Sequence, residues 1–149
     1  MNMTLREFRS EEYSPICSWA IAELWPGLVK GQLLALHEFP AILTLPGHFS
    51  FAMSEEGCAA TGFGQIWRSP NGATNLVRIL VDPAMRGQGF GKRLCTLLLA
   101  EALRMPDVRH VKLRVSRQNL PAIAVYRSIG FSQLESESNT HALAMAYGA

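Results

Sequence analysis

The spacing of apolar residues predicts strands in some segments of the chain and helices in others. Apolar and polar residues alternate, as in half-buried strands, near the N-terminus and again around residues 109–115. Further β-rich runs lie between turn signals such as Ser69-Pro70-Asn71-Gly72. The pattern predicts seven strands, at residues 4–8, 48–53, 59–67, 74–81, 109–115, 131–134 and 141–147.

Two helices are predicted in the long gap between the first two strands. Ser10 precedes two glutamates, which predicts a helix start, and an apolar stretch at residues 16–24 follows. Trp25-Pro26-Gly27 stops that helix, and a second helix is predicted at residues 28–37, ended by Pro40.

Two more helices are predicted in the second half of the chain. The third ends at Pro106 and carries an apolar stripe of Phe90, Leu94, Leu97, Leu98 and Ala102. The fourth has Asn119 as its N-cap, Pro121 in its first turn and Gly130 just beyond its end. The order of elements, β-α-α-β-β-β-α-β-α-β-β, predicts a mixed α/β domain.

Composition bounds the class of protein. The 149 residues are 48% hydrophobic, which fits one domain over residues 1–149 with a core of its own. No apolar run approaches the ~20 residues that cross a bilayer, and the N-terminus has no apolar signal core, so we expect a cytoplasmic protein with no membrane partner. Three scattered cysteines point to reduced thiols, and the absence of metal-ligand spacing predicts no metal.

The basic residues concentrate in the middle of the chain. Residues 75–127 hold ten basic and three acidic side chains, whereas the segments on either side are net acidic. This distribution predicts one region that binds an anion. The chain has three lysines, no basic run and no interleaved aromatic residues, so nucleic acid is not expected as a partner.

A glycine-rich turn between a strand and a helix is the most informative stretch. Gly87, Gly89 and Gly91 alternate after Asp82-Pro83, and Lys92 follows directly. Glycines allow a ligand to approach backbone amides closely, and the first amides of a helix bind phosphate well. The spacing fits neither the Rossmann fingerprint nor the Walker A loop, because position 92 is lysine, Arg86 replaces the first Walker glycine and Arg93 replaces its Ser/Thr.

The arrangement Arg86-x-x-Gly89-x-Gly91 resembles the pyrophosphate loop of the GNAT acetyltransferases, which bind acetyl-coenzyme A. A second stretch supports the resemblance, since Asn119 follows a strand, Tyr126 comes seven residues later and Gly130-Phe131 closes the helix. The match covers residues 74–131, whereas residues 1–73 match only in the order of elements. The family implies a mixed, mostly antiparallel central sheet of about seven strands, flanked by about four helices.

The resemblance also implies roles for individual residues. The backbone of the strand before the loop should bind the pantetheine arm, amides of the loop should hold the pyrophosphate, and Asn119 should contact the cofactor arm. Tyr126 should act as general acid for the CoA thiolate. The implied cofactor-binding residues are Ile79, Leu80, Val81, Arg86, Gly87, Gln88, Gly89, Phe90, Gly91, Lys92, Asn119 and Arg127.

The implied reaction is transfer of an acetyl group to an amine by direct attack in a ternary complex, with no acetylated residue. The acceptor is a small molecule or a peptide, and a homodimer is possible. Transfer of another acyl group, or transfer to a hydroxyl, stays open. A protein that binds acyl-CoA as a sensor without turnover is the alternative from another class.

One residue departs from part of the family. Members that acetylate protein N-termini carry a glutamate, the base for the amine, where this chain has Arg114, and a guanidinium cannot accept a proton. Glu23, His37 and His48 are other candidates for a base, beside water or no base at all. Arg114 and Arg78 are expected on neighbouring strands, either as a solvated face of the sheet or as a site for a carboxylate or phosphate.

Overall fold

The computed structural model describes residues 2–22 and 39–148. The helix predicted at residues 28–37, its preceding stop, Glu23 and His37 lie outside the described residues. The described residues form seven strands, as predicted: β1 (Met3–Glu7), β2 (His48–Glu55), β3 (Gly62–Arg68), β4 (Thr74–Val81), β5 (Val111–Ser116), β6 (Ser132–Gln133) and β7 (Ala142–Tyr147).

The strands form one sheet in the order β1-β2-β3-β4-β5-β7-β6. Neighbouring strands run antiparallel except β4 and β5, which are parallel. A parallel pair needs a long crossover, and here a helix between the two strands provides it. The mixed, mostly antiparallel sheet that the resemblance implies is therefore confirmed.

The helices are α1 (Tyr13–Ala22), α2 (Phe39–Leu43), α3 (Phe90–Leu103) and α4 (Leu120–Ser128). Short 3-10 turns precede α1 and α3, at Ser10–Glu12 and Pro83–Met85. Helix α4 begins after Asn119, whose side-chain oxygen accepts a hydrogen bond from the Ala122 amide at 3.3 Å, as the N-cap prediction requires.

Two hydrophobic clusters cover the two faces of the sheet. Helices α3 and α4 contribute to the larger one, in which the α3 stripe residues Leu94 and Leu98 are fully buried. The smaller cluster joins Ile16 of α1 and Ile42 of α2 to the other face. Gly64 on β3 allows α3 to approach, since a Cβ there would lie 2.5 Å from a methyl carbon of Leu98.

Two local predictions need correction. A further prediction, that Pro40 ends the helix at residues 28–37, concerns a helix outside the described residues, and Pro40 itself lies within α2. The chain after Ser10 forms a 3-10 turn before α1 begins at Tyr13. Strand β6 is only two residues long, because the amide of Phe131, predicted as its start, donates to the Tyr126 carbonyl of α4 at 3.0 Å.

No helix among the described residues is long and apolar enough to cross a bilayer. None of the three cysteines, all within the described residues, forms a disulfide; Cys17 and Cys95 are buried, whereas Cys58 is exposed.

Candidate active site

A cavity of about 740 Å³ lies between β4 and β5. Within the described chain the two strands pair only at Thr74–Val111 and Asn75–Lys112, at their N-terminal ends. Beyond these pairs the edge of β4 that faces β5 is open, although its other edge pairs with β3 as far as Val81. An open strand edge offers backbone donors and acceptors to an extended ligand.

A β-bulge in β4 accompanies this separation. The register with β3 shifts so that Arg78 and Ile79 lie opposite the single residue Gly64. Arg78 adopts a φ of +52°, in the left-handed region that non-glycine residues rarely occupy. The bulge reverses the alternation, so that Leu76 packs in the larger cluster and Leu80 in the smaller one. Bulges bend a strand and increase its twist, which explains why β4 turns away from β5.

The N-terminus of α3 lies beside the cavity and has free amides. Gly89 is the N-cap, with a φ of +81°, and the first helical hydrogen bond runs from the Arg93 amide to the Gly89 carbonyl at 3.2 Å. Within the described residues the amides of Phe90, Gly91 and Lys92 therefore donate to no protein acceptor. The helix dipole and the exposed basic residues of the turn make this an anion site.

Gly91 supplies a test of whether this turn suits a phosphate ligand. Its backbone is ordinary for any residue, and a Cβ built on it would meet no atom within 4 Å. Nothing in the described protein thus requires glycine here, yet Gly91 lines the cavity. A ligand that approaches the backbone closely would require it, so the turn fits the pyrophosphate of acetyl-CoA.

Tyr126 extends from α4 into the same cavity. Its hydroxyl interacts with the thiol of Cys95 on α3, and its ring packs edge-on to Phe131 at 6.1 Å. Burial, followed by the interaction with Cys95, raises the pKa of Tyr126 above its usual value of about 10. The hydroxyl therefore keeps its proton at neutral pH, as a general acid must.

Cys95 is an unsuitable nucleophile. Its side chain is buried, and burial raises the pKa of the thiol to about 12. A reactive cysteine needs a lowered pKa, because the thiolate is the nucleophile. Direct transfer with no acetylated residue stays a prediction.

Six of the predicted site residues line the cavity together: Ile79, Leu80, Val81, Gly91, Asn119 and Tyr126. Arg86, Gly87, Gln88, Gly89, Phe90 and Lys92 belong to the turn and helix start around Gly91, and Arg127 is exposed in the last turn of α4. Sequence reasoning missed Trp67, Asn75 and Cys95 as lining residues. No local motif marks these three, since only the sheet register and the helix packing bring them to the cavity.

The described lining of the cavity contains no Asp, Glu or His. His48 does not itself line the cavity but stacks on the lining residue Trp67, with ring centroids 5.4 Å apart, and its Nδ1 lies 2.9 Å from the Pro46 carbonyl oxygen. It lines a separate cavity of about 320 Å³. Among the described residues, no group of three or more His, Cys, Asp or Glu side chains could hold a metal.

The model of the Acetyltransferase (GNAT) family matches residues 4–131, a span that includes the α3 turn and Tyr126. The chain belongs to the GNAT family. The resemblance that the two sequence motifs carry is therefore confirmed at the level of the family and of the fold.

Curated relatives of this GNAT chain match over part of its length. Mycothiol acetyltransferase of Saccharomonospora viridis is 46% identical over 57 residues, which are 38% of this chain and 18% of that protein. The L-methionine sulfoximine/L-methionine sulfone acetyltransferase of Salmonella typhimurium is 33% identical over 104 residues, which are 66% of this chain and 57% of that protein. The chain spans less than two thirds of the length of either relative.

Solved structures match the fold over nearly the whole chain. Aminoglycoside acetyltransferase AAC(6')-Ib, in complex with ribostamycin and coenzyme A, superposes with a TM-score of 0.80 and 20% identity, covering 99% of this chain and 93% of that one. At this identity the likeness shows the fold alone.

Proposed function

We propose that this GNAT protein is an N-acetyltransferase that uses acetyl-CoA as co-substrate and a small-molecule or peptide amine as acceptor. The observation that carries the proposal is the gap between β4 and β5, with free helix amides at one side and the Tyr126 hydroxyl inside. The relatives named as acetyltransferases, and the similar fold solved with coenzyme A, support the same activity.

Acetyl-CoA supplies the acetyl group as a thioester when it is bound. The amides of residues 87–92, together with Arg86 and Arg127, are proposed to hold its diphosphate. The open edge of β4 at Ile79, Leu80 and Val81 orients the extended arm and donates hydrogen bonds where negative charge develops. Asn119, which already caps α4 through its oxygen, keeps its amide hydrogens for the arm.

Tyr126 holds a proton on its hydroxyl and donates it to the departing sulfur. Because burial raises its pKa, the hydroxyl is protonated at neutral pH and can donate a hydrogen bond as negative charge develops on the sulfur. Arg114 cannot serve as the base for the amine, and the described lining offers no other. We propose that the acceptor ammonium group loses one proton to water and that the neutral amine attacks the thioester carbonyl carbon directly, with both substrates bound. As the C–N bond forms and the C–S bond breaks, the thiolate would take the Tyr126 proton, and the second nitrogen proton would return through water to the tyrosine oxygen.

Several further properties stay proposals. The single sheet that joins all seven strands supports one domain over the chain. Cytoplasmic localisation and a possible homodimer are predictions from the sequence and from the family.

A thiol-release assay with acetyl-CoA and a panel of amines tests the proposal. We expect release of CoA that depends on both the protein and an acceptor amine. Acetyl-CoA that binds, as measured by calorimetry, without release across the panel would contradict the enzymatic function and favour a sensor. Transfer to hydroxyl compounds but not to amines would contradict the acceptor class.

A further inference from the structure

Arg78 is a half-buried cation at the cavity, and a neutral side chain holds it. Its Nη1 donates a hydrogen bond to the Oε1 of Gln65 at 3.1 Å. Gln65 is fully buried, and its Nε2 donates to the Ile42 carbonyl at 2.8 Å and to the Ser50 hydroxyl at 3.0 Å. These two bonds fix the amide so that its oxygen faces Arg78, which positions the guanidinium rather than neutralising it.

The charge of Arg78 has no compensating carboxylate in the described lining of the cavity. Burial lowers its pKa, and no acidic group among the described residues raises it. A partly desolvated charge without a counter-ion is costly, and the left-handed backbone at this residue adds strain. Both costs are explained if an anion binds the guanidinium during function.

A second arginine lies on the same face of the sheet, across the gap. Gln65 and Trp67 are two residues apart on β3 and share a face, and the register joins Trp67 to Asn75 and Asn75 to Lys112. Arg114, two residues after Lys112, is therefore on this face too. It lines the cavity with Arg78.

Arg114 is also held by a neutral oxygen. Its Nη1 donates to the backbone carbonyl of Glu137 at 2.8 Å, whereas the Glu137 carboxylate is bound by Lys112 at 3.0 Å. Two arginines thus line one cavity from strands that diverge. Leu113 and Val115, the neighbours of Arg114 on β5, pack with α3 and α4 on the opposite face of the sheet. Tyr126 lies on that opposite face as well.

We propose that Arg78 and Arg114 bind a carboxylate of the acceptor, so that the preferred acceptors are amines that carry a carboxylate close to the reacting nitrogen, as amino acids do. This inference rests on the proposed function and names its substrate class. Guanidinium groups bind carboxylates through paired, charge-assisted hydrogen bonds. A carboxylate held on this face would direct the neighbouring amine through the gap towards the side of Tyr126.

Matched acceptors test the inference. Alanine, leucine and phenylalanine are compared with alaninol, leucinol and phenylalaninol, which keep the side chain and the primary amine but lack the carboxylate. For at least one pair we expect kcat/KM to be about tenfold or more higher for the amino acid, mainly through KM. Equal values in all three pairs would overturn the inference, as would a preference for phosphoethanolamine over every amino acid.

Variants connect the preference to the two arginines. In Arg78→Gln and in Arg114→Gln the ratio of kcat/KM between amino acid and amino alcohol should fall towards one. Arg78→Lys should restore this ratio only in part, because a lysine ammonium cannot form the two parallel hydrogen bonds that a guanidinium forms with a carboxylate. Arg104→Gln, at an exposed arginine paired with Glu101 after α3, should keep the wild-type ratio. An unchanged ratio in both Arg78→Gln and Arg114→Gln would contradict the inference.

Binding without acetyl-CoA gives a second readout. Calorimetric titration of the amino acid should show affinity for the wild-type protein and about tenfold weaker affinity for a folded Arg114→Gln variant. If the amino acid binds this way and no CoA is released with any amine, the proposed function fails and the anion site stands. If CoA is released with amino alcohols and amino acids at equal rates, the anion site fails and the proposed function stands.

Discussion

Arg6 and Arg78 are partly buried arginines of the same sheet, but their partners differ. Arg6 on β1 donates to both carboxylate oxygens of Glu12, at 2.8 and 2.6 Å, and to the Ser54 hydroxyl at 3.1 Å. The pKa of Glu12 is lowered, mainly by its hydrogen bonds to Arg6. Arg78 on β4 has only the neutral amide of Gln65 as a hydrogen-bond partner among the described residues.

The backbone hydrogen bonding of the strands shows a similar difference. Strands β1, β2 and β3 pair with their neighbours along nearly all their length, whereas β4 and β5 pair at two positions and then separate. Polar groups in a folded protein usually satisfy one another, because an unpaired buried group is costly. Where the groups of this protein are satisfied internally they stabilise the fold, and where they are left free they are available to a ligand.

The largest expected effect concerns the chemistry in the gap. Tyr126→Phe should lower kcat by about 10²-fold or more while the affinity for CoA changes little, because only the proton donor is lost. Steady-state kinetics with calorimetry of CoA binding measures both values. The control is Tyr147→Phe, at a tyrosine whose ring packs against Phe131 away from the cavity, and it should keep the wild-type kcat. A wild-type kcat in Tyr126→Phe would remove this residue from the mechanism.

The second effect concerns stability at the paired charge. Glu12→Gln should lower the free energy of unfolding by about 2 kcal/mol at pH 7, because charge-assisted hydrogen bonds to Arg6 and to the Arg9 amide are weakened. Urea denaturation followed by circular dichroism measures this value. Arg78→Gln is the matched variant, and it should change the free energy of unfolding by less than about 1 kcal/mol, since no carboxylate is left unpaired.

This stability difference should depend on pH in one direction. Because the pKa of Glu12 is lowered in the folded protein, its contribution is complete above the unfolded value of about 4.3 and is lost as pH falls through the folded value. The difference in the free energy of unfolding between wild type and Glu12→Gln should therefore decrease below about pH 4. A difference in the free energy of unfolding that is constant from pH 7 to pH 3 would contradict the assignment of the ion pair.

The smallest effect separates ligand binding from folding. Gly91→Ala should weaken CoA binding about tenfold, because a methyl group enters the site of close approach, while the melting temperature stays equal or rises with the better helix propensity. Gly72→Ala, at an open turn glycine with a φ of +88°, should do the reverse, lowering the melting temperature and leaving CoA affinity unchanged. Wild-type CoA affinity in Gly91→Ala would exclude close contact at this residue.

Sequence reasoning located the parts of the site that have a local signature. Alternating glycines predicted the turn before α3, and the spacing from Asn119 to Tyr126 predicted the fourth helix and its place near the site. All seven strands were also predicted, because turn residues separate them.

Features that depend on tertiary pairing had no such signature. An arginine disfavours a positive φ, so nothing in the sequence marks the bulge at Arg78, and the separation of β4 from β5 follows from that bulge rather than from alternation. No sequence signal links Cys95 to Tyr126, and only the packing of α3 against α4 brings the two side chains together. Nothing in the sequence indicates the ion pair between Arg6 and Glu12 either, because this pair depends on the 3-10 turn that precedes α1.

A titration of the ¹⁵N-labelled protein with coenzyme A, followed by amide NMR spectra, tests the central claim most directly. The claim is that free backbone amides at the start of α3 and along the open edge of β4 bind the cofactor. We expect the largest shift changes at residues 87–92 and 79–81, with small changes in β1 and β2. Saturable binding that leaves the amides of residues 87–92 unshifted would contradict the account.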